Sequence, residues 1–387
     1  MKKEYLLAPG PTPVPPEALS AMGKPIFHHR TNRYRKIFQE VTENLKTVFQ
    51  TKNDVLTFSS SGTGAMEAAV VNVLSAGDTA LVVNAGKFGE RWTGLCKAYG
   101  VKSCEIKVPY GTAVAPSEIE AALSADKNIK AVYTTLCETS TGVVTDIAAI
   151  GRIVRDTQAL LVVDAISGLG ADDLQTDAWG VDIAVSGSQK GLMIPPGLAF
   201  ASVSAKAWKA EGKSTLPKYY LSFKKAKKSL EAFDNPFTPP VTLVVALKET
   251  LAMICSEGMP NVLARHALLA RATRAGVKAL GLEIFCPLAP ANTVTAVKVP
   301  AGLDGVKIVK DLREEFGVTI AGGQGDEMKG KLFRIAHLGY ACAFDVAVAM
   351  SALEMALAKQ AFKFSAGAGV KAAQEVLLDS GMVMVGR

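Results

Sequence analysis

"VDIAVSGSQKGLMIPPGLAFASVS", residues 181–204, sets two short apolar runs on either side of a polar turn that carries one lysine, Lys190. The flanks, VDIAVSGS (181–188) and GLAFASVS (197–204), are bounded by Gly and Pro and have the length of buried strands. Three earlier runs read the same way: DTALVVNAG (78–86), IKAVYTT (129–135) and ALLVVDAIS (159–167), with longer helix-compatible stretches between them. These runs are apolar throughout rather than alternating, as strands covered on both faces are. They predict an α/β fold with a mostly parallel, twisted central sheet flanked by helices, and they put Lys190 at a strand tip.

The chain has 387 residues, enough for two lobes around large cores. Its 49% hydrophobic and 20% charged residues exclude disorder, and charged or turn residues interrupt the longest apolar runs before they reach membrane-spanning length. The N-terminal MKKEYLLAPGPTPVPP meets Pro9 too early for a secretory segment, so a cytoplasmic location is expected. Six cysteines (96, 104, 137, 255, 286, 342) form no CxxC pair and there are only four histidines. Buried or inert thiols are therefore expected, with no disulfide framework and no metal. The formal charge of +7 suits acidic small molecules; the dense run FKKAKKSL (223–230) reads as a solvated face, and no nucleic-acid partner is expected.

Beyond residue 250 the texture changes. GMPNVLARHALLARATRAGVKAL, NTVTAVKVP, LDGVKIVKDLREEFG, KLFRIAHLG and AFDVAVAMSALEMALAKQ read as helix, strand, helix, strand, helix, a smaller C-terminal α+β domain. The expected division is a proline-stiffened arm (1–20), a large domain (21–255) and a small domain (256–387).

Ligands of open parallel sheets collect at the carboxyl ends of strands, so polar residues there are the candidates. In SSSGTGAMEAAV (59–70) the amides and hydroxyls of Ser61, Gly62 and Thr63 stand at a helix start suited to a phosphate. A plain helix cap fits the same residues. The run is neither a Walker loop nor a dinucleotide fingerprint. Asp164 ends an apolar strand, where an ionised carboxylate needs a cation; an arginine elsewhere would serve, and so would a bound ring nitrogen. A carboxylate at 164 and an amine at 190, both at strand tips beside a phosphate cradle, match the needs of pyridoxal 5'-phosphate. Lys190 would form the Schiff base, Asp164 keep the pyridine nitrogen protonated, and the glycine loop hold the phosphate.

With these residues the chain resembles the class V aminotransferases of fold type I, specifically the alanine-glyoxylate, serine-pyruvate and serine-glyoxylate group. The resemblance rests on LAPGPTPVPP, VFQTKNDVLTFSSSGTGAMEAAVVNVLSAGD, AGKFGERW, ETSTGV, VVDAISGLGA, SGSQKGL, TPPVTLVVALKETL and FRIAHLG, in that order over nearly the whole chain. It implies a seven-stranded-type sheet, Lys190 as the Schiff-base lysine and Asp164 on the pyridine nitrogen. Gln189 and Thr139 would address the ring hydroxyl and ring edge, and Phe88 would stack on the ring; without the resemblance Phe88 reads as core packing. Thr238 would reach the phosphate of the neighbouring subunit, implying a homodimer with shared sites. Asn235 stands where some relatives place a tyrosine on that phosphate. Arg334 and the Gly10 turn would hold the substrate carboxylate; alone, Arg334 reads as a surface arginine ending a strand.

The resemblance implies ping-pong transfer of an amino group from alanine or serine to glyoxylate or pyruvate. FHHRTNRY (27–34) leaves two readings open: His28, His29 and Arg30 bring positive charge to the pocket mouth and admit an acidic donor such as aspartate, or they pin the arm at the dimer interface. A cysteine desulfurase shares the fold, but Phe88 and the lack of a glycine-rich cysteine loop count against it. A non-catalytic assembly subunit would not need Lys190, Asp164 and Arg334 together.

Overall fold

The computed structural model describes residues 3–381; the first two residues of the expected arm and the last six of the expected small domain lie outside the described residues. The strands in chain order are β1 (Tyr5–Leu6), β2 (Asp54–Ser60), β3 (Thr79–Asn84), β4 (Lys102–Lys107), β5 (Ile129–Thr135), β6 (Cys137–Glu138) and β7 (Val143–Val144), followed by β8 (Leu160–Asp164), β9 (Ile183–Gly187), β10 (Gly197–Val203), β11 (Val294–Lys298), β12 (Val318–Thr319), β13 (Ala321–Gly322) and β14 (Leu332–Ala336). Seven of them form the central sheet in the order β2-β10-β9-β8-β5-β3-β4. Only β10 is reversed, pairing antiparallel with both β2 and β9, so the sheet is mostly parallel as expected.

The all-apolar strands are apolar for the anticipated reason. Along β8, Leu161 and Val163 enter the core on one face while Leu160 and Val162 enter the core on the other. Each such side chain contributes roughly 1.5–3 kcal/mol through burial, and a charge at Val162 or Val163 would break the layer it faces. Two strands of the central sheet were not foreseen. β4, KSCEIK, is a partly exposed edge strand with lysines at both ends, which blunt it against further pairing. β2 was hidden inside the run leading to the glycine loop.

A second sheet, β11-β14-β13, carries its own core with the helices Gly305–Glu314 and Ala343–Ala358. The two expected strands of this region, around NTVTAVKVP and KLFRIAHLG, are β11 and β14. The helix Ala368–Asp379 was not anticipated. The N-terminal arm is not merely laid over a surface: β1 pairs in parallel with β12, and Leu7 accepts the Ala336 amide at 2.8 Å. In the lysine-rich run, Phe223 and Ala226 are buried while the lysines face outward. Of the thiols expected to be buried or inert, Cys96, Cys137 and Cys286 are buried, Cys255 is half-buried, and Cys104 and Cys342 are exposed. Among the described residues no helix is long and apolar enough to cross a membrane.

Candidate active site

Chain direction brings the candidates to one edge. β8 ends on Asp164 and pairs with β9, placing Asp164 opposite Val185, and Lys190 follows three residues after β9 ends. β10 lies between β9 and β2, so the helix Gly62–Val71 that follows β2 opens beside the same tips. The approach is close: a Cβ on Gly187 would sit 3.4 Å from the Gly62 backbone, and one on Gly62 would sit 2.5 Å from Ile166 Cδ1. Ser61 is the N-cap residue of that helix and its side chain makes no cap bond. The helix start carries the positive end of the helix dipole; of its first-turn amides, that of Gly64 donates to the Ser61 carbonyl at 2.8 Å.

Asp164 is buried, and its Oδ1 accepts the Ile166 amide at 2.8 Å. Burial raises its pKa to about 7, opposed by that amide; Glu138 adds to the rise, while Arg91 and Lys190 lower it. Lys190 moves the other way, to about 8, chiefly because burial disfavours the ammonium, with Arg334 and Arg91 adding to the fall and Asp164 opposing it. Its Nζ donates to the Pro9 carbonyl. Thr12 Oγ1 donates to the Lys190 carbonyl at 2.9 Å, and the Thr12 amide to that of Gln189 at 3.1 Å. The arm therefore runs directly over the lysine. Gly10, at φ +136°, permits this, since a Cβ there would lie 2.5 Å from Lys190 Cε.

Thr139 Oγ1 donates to Ser167 Oγ at 2.6 Å, and the Thr139 carbonyl accepts Arg334 Nη1 at 2.8 Å. Arg334 also donates from Nε and Nη2 to the Gly322 carbonyl, at 3.1 and 2.8 Å. Of its five N–H groups these bonds use three, so one on each terminal nitrogen is left for a ligand. Arg334 is buried, and burial lowers its pKa to about 10. It is a constrained interior arginine, not a surface one.

Phe88 and Arg91 share one face of the helix Lys87–Ala98, with the Arg91 guanidinium 5.0 Å from the Phe88 ring centroid and Arg91 Nη1 donating to Thr63 Oγ1 at 3.2 Å. Gly89, Trp92 and Cys96 form the buried face. Arg91 and Glu138 stand in the motifs AGKFGERW and ETSTGV but carry no signal of their own there, Arg91 being one of three charges in its motif and Glu138 one polar residue among several. Thr238 does not join the cluster in the same way: it is exposed, ahead of the helix Val241–Glu257. Asn235 is buried, and its Oδ1 accepts the Tyr34 hydroxyl. Arg30 is spoken for within its own chain, pairing with Asp234 at 2.7 Å and donating to the Asn235 carbonyl at 2.8 Å. His28 Nδ1 accepts the Arg30 amide at 3.1 Å, and the His29 ring lies edge-on to Tyr34.

The donor set fits pyridoxal phosphate. Asp164 offers a buried acceptor for a protonated ring nitrogen, Gln189 Oε1 is buried without a hydrogen-bond partner, and the Gly62–Val71 helix start offers amides to a phosphate. The Aminotransferase class-V family model matches residues 4–349. The chain belongs to the class V aminotransferases, which are pyridoxal-phosphate-dependent transaminases of fold type I. A Synechococcus protein named "Soluble hydrogenase, small subunit" is 45% identical, covering 97% of this chain and 98% of its own. The L-aspartate–glyoxylate aminotransferase of Paracoccus denitrificans is 38% identical (96% and 95%), and the serine–glyoxylate aminotransferase of Methylorubrum extorquens 37% (98% and 97%). Among solved structures, the pyridoxamine-pyruvate aminotransferase of Mesorhizobium loti is similar with a TM-score of 0.93 at 30% identity, covering 98% of each chain.

Proposed function

We propose that this aminotransferase moves an amino group from a small amino acid, alanine or serine, to glyoxylate or pyruvate, by ping-pong turnover in a cytoplasmic homodimer. The observation that carries the reading is the convergence of a depressed amine, Lys190, and a buried carboxylate, Asp164, on neighbouring strand tips, with Arg334 tied to Thr139 at the same edge. Pyridoxal phosphate bound there supplies an aldehyde carbon and an electron-accepting ring. Lys190 Nζ, with a pKa near 8, takes the proton from the substrate α-carbon and later returns one. Asp164 holds the proton of the ring nitrogen, Gln189 and Thr139 face the ring hydroxyl and edge, and Phe88 covers the ring and excludes water. Ser61, Gly62 and Thr63 hold the phosphate together with Thr238 of a second copy, and the two remaining N–H groups of Arg334 take the substrate carboxylate near Gly10.

The division into an arm (1–20), a large domain (21–255) and a small domain (256–387) is part of this proposal. It is supported by the separate cores of the two sheets and by the change of helix at Gly258, just past the expected boundary, where one long helix ends and the next begins.

The names of the Paracoccus and Methylorubrum relatives share glyoxylate and differ in the donor, while the Mesorhizobium structure is named for pyruvate. Arg30, the residue that would admit an acidic donor, is ion-paired with Asp234, which favours a neutral one. A desulfurase reading would need an exposed thiol, and Cys342, at the N-cap of the helix Ala343–Ala358, is one. Partial burial and the adjacent Asp345 raise that thiol's pKa, and a thiol is the poorer nucleophile. The test is a panel of alanine, serine, aspartate and cysteine as donors, with glyoxylate and pyruvate as acceptors. Amino transfer from alanine or serine supports the proposal. Aspartate as the best donor, or sulfide from cysteine, overturns it, and absence of both the cofactor's absorbance and turnover would favour an assembly subunit.

A further inference from the structure

The loop Cys137–Gly142 touches three parts of the site at once, and Glu138 is its buried centre. Its Oε2 accepts the amides of Phe88 and Gly89, at 3.1 and 3.0 Å, and its Oε1 accepts the amide of Ser140 at 3.2 Å and the Ser140 hydroxyl. Ser140 Oγ in turn accepts the Lys87 amide at 3.1 Å. The three amides at the start of the helix Lys87–Ala98 are thus taken by two side chains some fifty residues further along the chain. The helix's own N-cap, Gly86, offers no side chain, and a Cβ there would lie 2.6 Å from the Glu138 carboxyl carbon. The N-cap supplies no side chain to these three amides; Glu138 and Ser140 do.

We infer that Glu138 is a positioning residue that sets the height of the Phe88 ring over the cofactor, by clamping the first turn of its helix to the loop that carries Thr139. The inference rests on the proposed covering role of Phe88. An ionised carboxylate suits the clamp because it only accepts hydrogen bonds and lies at the positive end of a helix dipole. The isosteric amide keeps one acceptor: with that oxygen toward Phe88 and Gly89, its NH2 meets the Ser140 amide, which also donates, so the side of the clamp that ties the helix start to the Thr139 loop is lost.

The test is a double-mutant cycle read as the dissociation constant of pyridoxal phosphate from the unloaded protein, with thermal unfolding as a check on folding. Phe88→Leu is expected to weaken binding about three- to tenfold, the worth of one aromatic stacking contact. Glu138→Gln should weaken it to a similar extent, and the double variant should be no weaker than the worse single. Equal binding by Glu138→Gln and wild type, or full additivity in the double variant, overturns the inference while leaving Phe88 in its role. Unchanged binding by Phe88→Leu overturns that role and the inference with it. Should Glu138→Gln not fold, Ser140→Ala, which removes the contact that orients the carboxylate, carries the same cycle on the same terms.

Discussion

Arg334 Nη1 and the carbonyl of Thr139 are joined by a 2.8 Å hydrogen bond that ties β14 to the loop following β5. A residue proposed to grip substrate is therefore positioned by a residue proposed to touch the cofactor. Displacement of either is felt by the other.

Replacing Arg334 should accordingly impair both half-reactions. Arg334→Ala removes the fork and leaves the Gly322 and Thr139 carbonyls without a donor, so substrate affinity should fall by tens- to a thousandfold and stability by about 1–3 kcal/mol. Arg334→Lys should recover binding better than turnover, because a point charge attracts the carboxylate without orienting it. Single-turnover rates with alanine and with glyoxylate check this; an effect on one half alone would leave the shared anchor elsewhere.

Lys190 binds fewer protons folded than unfolded between about pH 8 and its ordinary pKa of 10.5. Stability of the cofactor-free protein should therefore rise with pH across that window and lose that slope in Lys190→Met. The same variant should abolish amino transfer while retaining phosphate-dependent cofactor binding. Denaturant titrations from pH 7.5 to 10.5 and a turnover assay test the two halves separately.

Asp164 has the opposite sign. Raised from 3.8 to about 7, it keeps a proton in the folded protein that the unfolded chain has lost, so its ionisation costs stability as pH rises through that range. Asp164→Asn should raise the unfolding temperature of the cofactor-free protein at pH 8 and yet slow hydrogen–deuterium exchange at the substrate α-carbon by orders of magnitude. A variant that is both less stable and equally fast would contradict the assignment.

For Arg30 the expectation concerns the segment Asp234–Thr238. Arg30→Gln should free Asp234 and loosen that segment, weakening self-association and cofactor affinity severalfold, with the ratio of aspartate to alanine turnover unchanged. Sedimentation and a two-donor assay separate this from a role in selecting acidic substrates, which would shift the ratio.

The strands that read clearly in the amino-acid order are those whose environment is nearly uniform: β8 and β9 are buried along their whole length, β5 at every position but Lys130, and each carries a run of apolar residues on both faces. β4 escaped because an edge strand with one exposed face is written largely in polar residues, and β1 and β12 because a two-residue pairing is held by main-chain bonds that leave little trace in residue type. Lys190 and Asp164 were legible since charge at the end of an apolar strand demands a reason. Glu138 was not, because its partners are amides, and every residue but proline has one. The reversal of β10 depends on a Pro-Pro-Gly turn whose direction its composition does not state.

The strap formed by residues 5–12 has a consequence for how the molecule is made. Tyr5 and Leu6 find their partners in Val318 and Thr319, 313 residues further along the chain and therefore synthesised much later. The arm cannot close over Lys190 in this way until β12 exists, so a nascent chain holds this amine uncovered from its own synthesis until that of β12. Assembly of the lysine's surroundings becomes one of the final events of folding, set by topology and not by the speed of the central sheet.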